Sequence, residues 1–239
     1  MDPILELSQV WAAYPGGRGA ALRGASLRLF PSELGLLLGP NGAGKTTILE
    51  VFLGFLPYRG KARVEGLEVS QHRREIRKKL GYLPQALFFS ADTPCHTLDL
   101  VLMGRFGLFR PWQRFPRAEL DRAFSVLARL GLAEKADWPV GQLSGGQQRK
   151  ALLARALVKG AKILLLDEPF ASLDPEARAD LAHSILQLRA EGMTVLAVIH
   201  EEEILSHADR AWFVREGTTQ EISWPFDRLS EIWLSLCGR

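Results

Sequence analysis

The sequence predicts an α/β fold: a mostly parallel sheet covered by helices, with N-terminal antiparallel strands and an inserted α-helical subdomain. Three observations carry this reading. The apolar run Leu34–Leu38 enters a glycine-rich loop and a helical stretch follows, the order in which a phosphate-binding α/β unit begins. Two more apolar runs, residues 163–166 and 194–199, each follow a helical stretch and end on a polar residue, Asp167 and His200. Strands buried on both faces of a parallel sheet have this appearance. Third, the stretch from about 88 to 140 has helical spacing and no evident strand.

In chain order, residues 4–10 alternate and read as a strand, and 22–30 continue the pattern, with Leu27 and Leu29 alternating with Arg28 and Phe30. Pro15-Gly16-Gly17 is the turn between them. Residues 46–55 form the helix after the glycine-rich loop. Within the insert, Leu98, Val101 and Leu102 mark one helix, and Leu120, Phe124, Leu127 and Leu130 another. Helices over 147–158 and Pro175–Ala190 precede the two later strands. Leu229, Ile232, Trp233 and Leu236 fall on one helical face, so a short closing helix packs onto the core. No linker or repeat divides the chain. The organisation is a core over 1–87 and 141–220, a helical subdomain over 88–140 and a helical tail over 221–239.

Of the 239 residues, 47% are hydrophobic and 24% charged; 30 basic against 27 acidic side chains leave a net charge of +3. Three charges over this length make no phosphate-binding stripe for nucleic acid. The run from Arg73 to Lys79 reads as a solvated helix face, since Ile76 and Leu80 fall at helical spacing. Arginine outnumbers lysine 22 to 8, which reads as genome composition. A membrane-spanning helix needs about 20 apolar residues. The longest stretch here without Asp, Glu, Lys or Arg is residues 80–91, interrupted by Gly81, Pro84 and Gln85. Met1-Asp2-Pro3 opens no secretory pattern, and Cys95 and Cys237 form no C-x-x-C pair, so a reducing, cytosolic location is expected.

Gly39, Pro40, Asn41, Gly42, Ala43, Gly44, Lys45, Thr46 and Thr47 match G-x-x-x-x-G-K-[ST], the mark of a P-loop NTPase core. Glycines let backbone N–H groups approach phosphate oxygens, and the helix N-terminus adds its dipole. Lys45 can reach the β- and γ-phosphates, and the Thr46 hydroxyl can ligate Mg²⁺. The strand at 163–166 ends in adjacent carboxylates. Asp167 is placed to hold Mg²⁺, and Glu168 can act as general base on the water that attacks the γ-phosphate.

Leu143-Ser144-Gly145-Gly146-Gln147 precedes an apolar helix, 20 residues ahead of Asp167 counted from Gln147. With the other two elements, in this order, the sequence resembles the ATP-binding cassette (ABC) family, specifically the ATP-binding subunits of transporters. The resemblance runs from about residue 4 to 217. It implies ATP and Mg²⁺ as ligands and two cassettes facing head to tail. Each ATP would lie between Lys45 of one copy and Ser144, Gly145 and Gly146, with Gln147, of the other. It further implies that Tyr14 stacks on adenine, although a tyrosine there is by itself an ordinary strand-end residue. Gln85 would contact Mg²⁺ and the attacking water and couple the core to the insert. Asp174 would lie in the loop crossing the dimer interface, and His200 would touch the γ-phosphate. The sequence departs from the usual pattern at Arg149-Lys150, where Gln-Arg is common, at Glu201, where Asp is common, and at Ser32.

The segment from Pro94 to Arg105, after Gly-Tyr-Leu-Pro-Gln85, resembles importers of manganese, zinc or iron. Importers of iron-siderophores, haem and cobalamin share its Gly-Arg, and Leu173 points that way. The resemblance implies integral membrane permease subunits, an extracytoplasmic substrate-binding protein, a peripheral place on the cytoplasmic face of the membrane and no nucleic-acid partner. Phe106, Leu108, Phe109, Trp112 and Phe115, mixed with Arg105, Arg110 and Arg114, read either as subdomain core or as a docking surface for the permease. Cys95 and His96 are adjacent, but two ligands do not complete a metal site. The rival readings are an exporter or another importer, and a cassette protein acting on DNA or ribosomes. The latter usually carries two cassettes or a long coiled-coil insertion, and this chain has neither.

Overall fold

The computed structural model describes residues 2–17, 19–85, 89–108, 115–200 and 204–222. Two sheets frame it. The first holds β1 (Leu5–Ala12), β2 (Leu22–Leu29), β4 (Tyr58–Val64) and β5 (Leu67–Glu68), all antiparallel, in the order β2-β1-β4-β5. The second holds β3 (Leu34–Leu38), β6 (Leu80–Leu83), β7 (Ile163–Asp167), β8 (Thr194–Val198), β9 (Arg210–Arg215) and β10 (Thr218–Ile222), in the order β10-β9-β3-β8-β7-β6. Its five central and far strands run parallel, and β10 closes one edge antiparallel to β9. Strands β3, β7 and β8 are buried at every position, which is why they appear as unbroken apolar runs.

The helices are α1 (Lys45–Phe52), α2 (Val69–Lys79), α3 (Thr97–Leu102), α4 (Arg117–Arg129), α5 (Gly145–Leu157) and α6 (Pro175–Ala190); a 3-10 turn over Met103–Leu108 follows α3. The parallel sheet separates two apolar clusters. On β7, Leu164 and Leu166 face the insert, α5 and α6, whereas Ile163 and Leu165 face α1, α2 and the first sheet. Helix α5 bridges the two regions, packing on α3 and α4 as well as on β6.

Several expectations need correction. Leu80, at helical spacing from Ile76, begins β6 instead of extending α2. In α4 the buried face is Ala123 and Leu127, while Leu120 and Phe124 are exposed; the insert packs that helix on one side only. Glu221 and Ile222 belong to β10, so the tail cannot begin as helix at 221. The rest of the tail, including Leu229, Ile232, Trp233 and Leu236, lies outside the described residues, as do Phe109, Arg110, Trp112, Arg114 and Glu201.

The topology gathers one end of the parallel sheet. The P-loop follows β3, His200 follows β8 by one residue past Ile199, Glu168 follows β7, and Gln85 follows β6. These are four neighbouring strands in the order β3-β8-β7-β6, and the crevice at the carboxyl ends of such strands is where open α/β sheets bind ligands.

Candidate functional site

The loop from Gly39 to Gly44 is possible only with glycine at its ends. A Cβ on Gly39 would meet the Val214 carbonyl oxygen at 2.1 Å, and Gly44, at φ 108°, would meet that of Ala21 at 2.7 Å. Lys45, 5% exposed, donates from Nζ to the carbonyls of Gly39 at 2.7 Å and Pro40 at 2.9 Å. Its cationic head is therefore already held inside the loop, in a cavity of about 320 Å³ whose lining includes Tyr14, Asn41, Gly42, Thr46, Gln85 and Glu168.

Thr46 Oγ1 donates to Asp167 Oδ1 at 3.0 Å, which places a hydroxyl and a carboxylate side by side as one divalent cation would require. Burial raises the Asp167 carboxyl above its usual range, and the Thr46 hydrogen bond opposes that. A bound cation would remove the mismatch, so the donor set fits Mg²⁺. The Tyr82 phenol is pushed up by its own burial and by the Asp167 charge.

Glu168 is the pivot of the site. Its backbone is left-handed, φ 46°, an uncommon conformation for a non-glycine residue, and its N–H donates to the Val198 carbonyl at 3.0 Å. The carboxylate takes one partner on each oxygen. Gln85 Nε2 donates to Oε2 at 2.6 Å, and His200 Nε2 lies 3.1 Å from Oε1, as a donating Nε2–H tautomer would. The structure thus brings together Tyr14, Lys45, Thr46, Asp167, Glu168, Gln85 and His200.

Other predicted residues stand elsewhere. Ser144 caps α5: its hydroxyl accepts from the Gln147 N–H, and Gln147 Oε1 accepts from the Ser144 N–H, a reciprocal box that satisfies two helix-end donors. Residues 144–147 are not among the described residues lining the phosphate cavity. Asp174 caps α6, accepting from the Ala177 N–H at 2.9 Å. Cys95 and His96 find no third ligand: among the described residues no group of three His, Cys, Asp or Glu side chains could hold a metal.

Two residues were missed by sequence reasoning. Tyr14 donates its hydroxyl to Glu50 Oε2 at 2.6 Å and lies 3.1 Å from Thr47 Oγ1, so Glu50 fixes the ring over the P-loop helix; Thr47 and Glu50 are three apart on α1, a spacing that signals a shared face. Burial, then Glu50, raises the Tyr14 phenol. The second is the role of Arg149, noted in the sequence only as a departure from the usual Gln-Arg; it donates to backbone carbonyls 64 and 65 residues away, a pairing no spacing marks.

The family model described as ABC transporter matches residues 22–171. The manganese transport system ATP-binding protein MntA of Synechocystis sp. is 36% identical over 183 residues, covering 76% of this chain and 69% of that protein. The manganese transport system ATP-binding protein MntB of Bacillus subtilis is 36% identical over 202 residues, covering 84% and 78%. A solved nucleotide-free ATP-binding cassette from an ABC transporter matches with a TM-score of 0.84 at 25% identity, over 99% of this chain and 96% of that one.

Proposed function

The chain belongs to the ABC transporter family and is its ATP-hydrolysing cassette; from that premise we propose that it powers the import of a divalent metal ion, manganese foremost, through a separate membrane permease. The observation carrying the chemistry is the Gln85–Glu168–His200 array at the mouth of the P-loop cavity. The cargo rests on the likeness to two manganese transport subunits, each over more than three quarters of this chain.

In this reading the P-loop N–H groups and Lys45 receive the phosphates. Lys45 exchanges two loop carbonyls for phosphate oxygens, so its charge is never left without acceptors. Thr46 and Asp167 would hold Mg²⁺, which supplies neutralisation of phosphate charge. Gln85 orients the water, and Glu168 accepts its proton as the water oxygen bonds to the γ-phosphorus and the bond to ADP breaks. His200 keeps the carboxylate turned toward that water. Tyr14, 42% exposed, offers its ring to the base.

Ser144, Gly145 and Gly146 act across a head-to-tail dimer on the nucleotide of a second copy. The permease docks at the junction of core and insert. Support for this comes from a groove of about 550 Å³ there, lined by Arg74, Arg77, Lys78 and Lys159 with Gly104 and Gly107, with the exposed Phe55 ring against the Arg77 guanidinium. No described helix is long and apolar enough to cross a membrane. The proposal places the pathway in the permease, the cassette at its cytoplasmic face and a substrate-binding protein delivering the metal outside.

Glu168→Gln tests the chemistry: ATP binding persists, turnover falls by about 10²–10⁴-fold and a closed dimer accumulates in gel filtration with ATP. Normal turnover in that variant sinks the assignment of the base. For the cargo, a strain lacking this chain accumulates less manganese, and the wild-type gene but not Glu168→Gln restores uptake. Unchanged uptake of manganese, zinc and iron would refute metal import.

A further inference from the structure

Arg149 lies in the second turn of α5 and is 1% exposed. Its Nη1 donates to the Pro84 carbonyl at 3.0 Å and its Nη2 to the Gln85 carbonyl. The guanidinium fork therefore grips the backbone of the two residues that follow β6. Gln85, so gripped, presents its side chain to Glu168 at 2.6 Å. Burying a guanidinium is costly. Burial works against the charge, while Glu168 first and Asp167 second sustain it.

We infer that Arg149 is a positioning residue for hydrolysis: through its grip on the Pro84–Gln85 backbone, helix α5 sets where Gln85 holds Glu168. The inference rests on the proposed roles of Gln85 and Glu168. It adds a mechanical consequence. The first turn of α5 carries Ser144, Gly145 and Gly146, proposed to meet the nucleotide of the second copy, and Arg149 lies only about 6 Å further along the same helix axis. Engagement of α5 by one nucleotide thereby moves the residue that arms the base at the other.

The test uses the full-length chain with Arg149→Met, Arg149→Gln and Arg149→Lys, alone and combined with Gln85→Ala. Affinity for a fluorescent ATP analogue, KM, kcat and the unfolding midpoint are read for each. Positioning predicts KM and ATP affinity within about twofold of wild type and kcat lower by about tenfold or more in the Met and Gln variants. Arg149→Lys keeps the charge but has no planar fork, so it recovers part of the rate, to within about threefold of wild type. In the Gln85→Ala background, replacing Arg149 lowers kcat no further than about twofold, because the two residues act as one unit. A rise in KM at unchanged kcat, or losses that multiply in the double variant, overturns the inference. Should the Met variant unfold below the assay temperature, the Lys and Gln variants carry the same comparison. Glu168→Gln in the wild-type background separates the two levels. Normal turnover there refutes the base itself. Lost turnover there, with Arg149 variants at wild-type kcat, refutes only the positioning role.

Discussion

Replacing Lys159 with methionine should stabilise the protein at pH 7. Lys159 follows α5 at the wall of the basic groove, where its Nζ donates to the Arg77 carbonyl at 2.9 Å. No carboxylate pairs with it among the described residues. Burial first, and the charge of Arg155 second, push its pKa down from 10.5 to about 8. A fall of that size corresponds to roughly 3 kcal/mol of preference for the neutral amine. Partial contact with water and the lost hydrogen bond reduce the expected gain to about 1–2 kcal/mol. Between about 8 and 10.5 the unfolded chain binds this proton and the folded chain does not, so stability rises with pH across that window. The penalty is fully present below about 8. Urea unfolding followed by circular dichroism at pH 7 and pH 9.5 measures both quantities. Lys159→Met should exceed wild type by about 1–2 kcal/mol at pH 7, with a smaller excess at pH 9.5. A methionine variant less stable than wild type at pH 7, or an excess independent of pH, refutes the reasoning.

Arg105 donates to Glu119 from two nitrogens at 2.6 and 2.7 Å, joining the 3-10 turn to α4 at a site where both side chains are mostly buried. Arg105→Ala leaves that carboxylate without this partner and should cost about 3 kcal/mol in urea unfolding, the insert loosening first in hydrogen exchange. Tyr14→Ala should weaken ATP binding about tenfold through loss of the ring, whereas Tyr14→Phe, losing only the tether to Glu50, should weaken it about two- to threefold; equilibrium titration with ATP distinguishes them. Gly39→Ala should abolish ATP binding in the same titration, since the added methyl has no room beside the Val214 carbonyl.

The parts of the fold that were legible are those where one local pattern carries the whole cause. Strands β3, β7 and β8 are buried throughout and carry unbroken apolar runs because both faces are covered, and the P-loop motif declares itself because only glycines fit at Gly39 and Gly44. Elsewhere tertiary packing decided. Ile76 and Leu80 share a helical spacing, yet the chain turns to strand at Leu80 because Gly81 must pass beneath α5. A Cβ on Gly81 would meet Leu164 Cδ2 at 2.6 Å and the Ala156 carbonyl at 3.0 Å. Strand β10, Thr-Thr-Gln-Glu-Ile, carries no apolar alternation; Thr219 anchors it by bonds between its hydroxyl and both the N–H and the carbonyl of Ser26, 193 residues earlier. The site divides in the same way. Lys45 stands at the start of the P-loop helix, and Asp167 and Glu168 at a strand end, places that the sequence announces. Arg149 and Glu50 act through a carbonyl pair and a distant hydroxyl, which no spacing rule connects.

Three features sit where a chain selected only for stability would not put them: Glu168 at φ 46°, the buried Arg149, and Lys159 with its lowered pKa. Each lies where the molecule must meet something else. Glu168 lines the cavity proposed to receive phosphate charge, Arg149 holds the Gln85 backbone beside it, and Lys159 stands in the groove proposed to receive the permease. The nature of the third follows from the other two. At the nucleotide site, cations held ready by carbonyls await an anion, as Lys45 does. In the groove, Arg77 spends its guanidinium on the Leu53 and Gly54 carbonyls and on the Phe55 ring, and Lys159 donates to the Arg77 carbonyl. The groove lining is likewise basic, so the proposal that it receives the permease predicts carboxylates on the docking loop. Seating one there would return Lys159 to its ordinary pKa and turn a cost of folding into affinity for the permease.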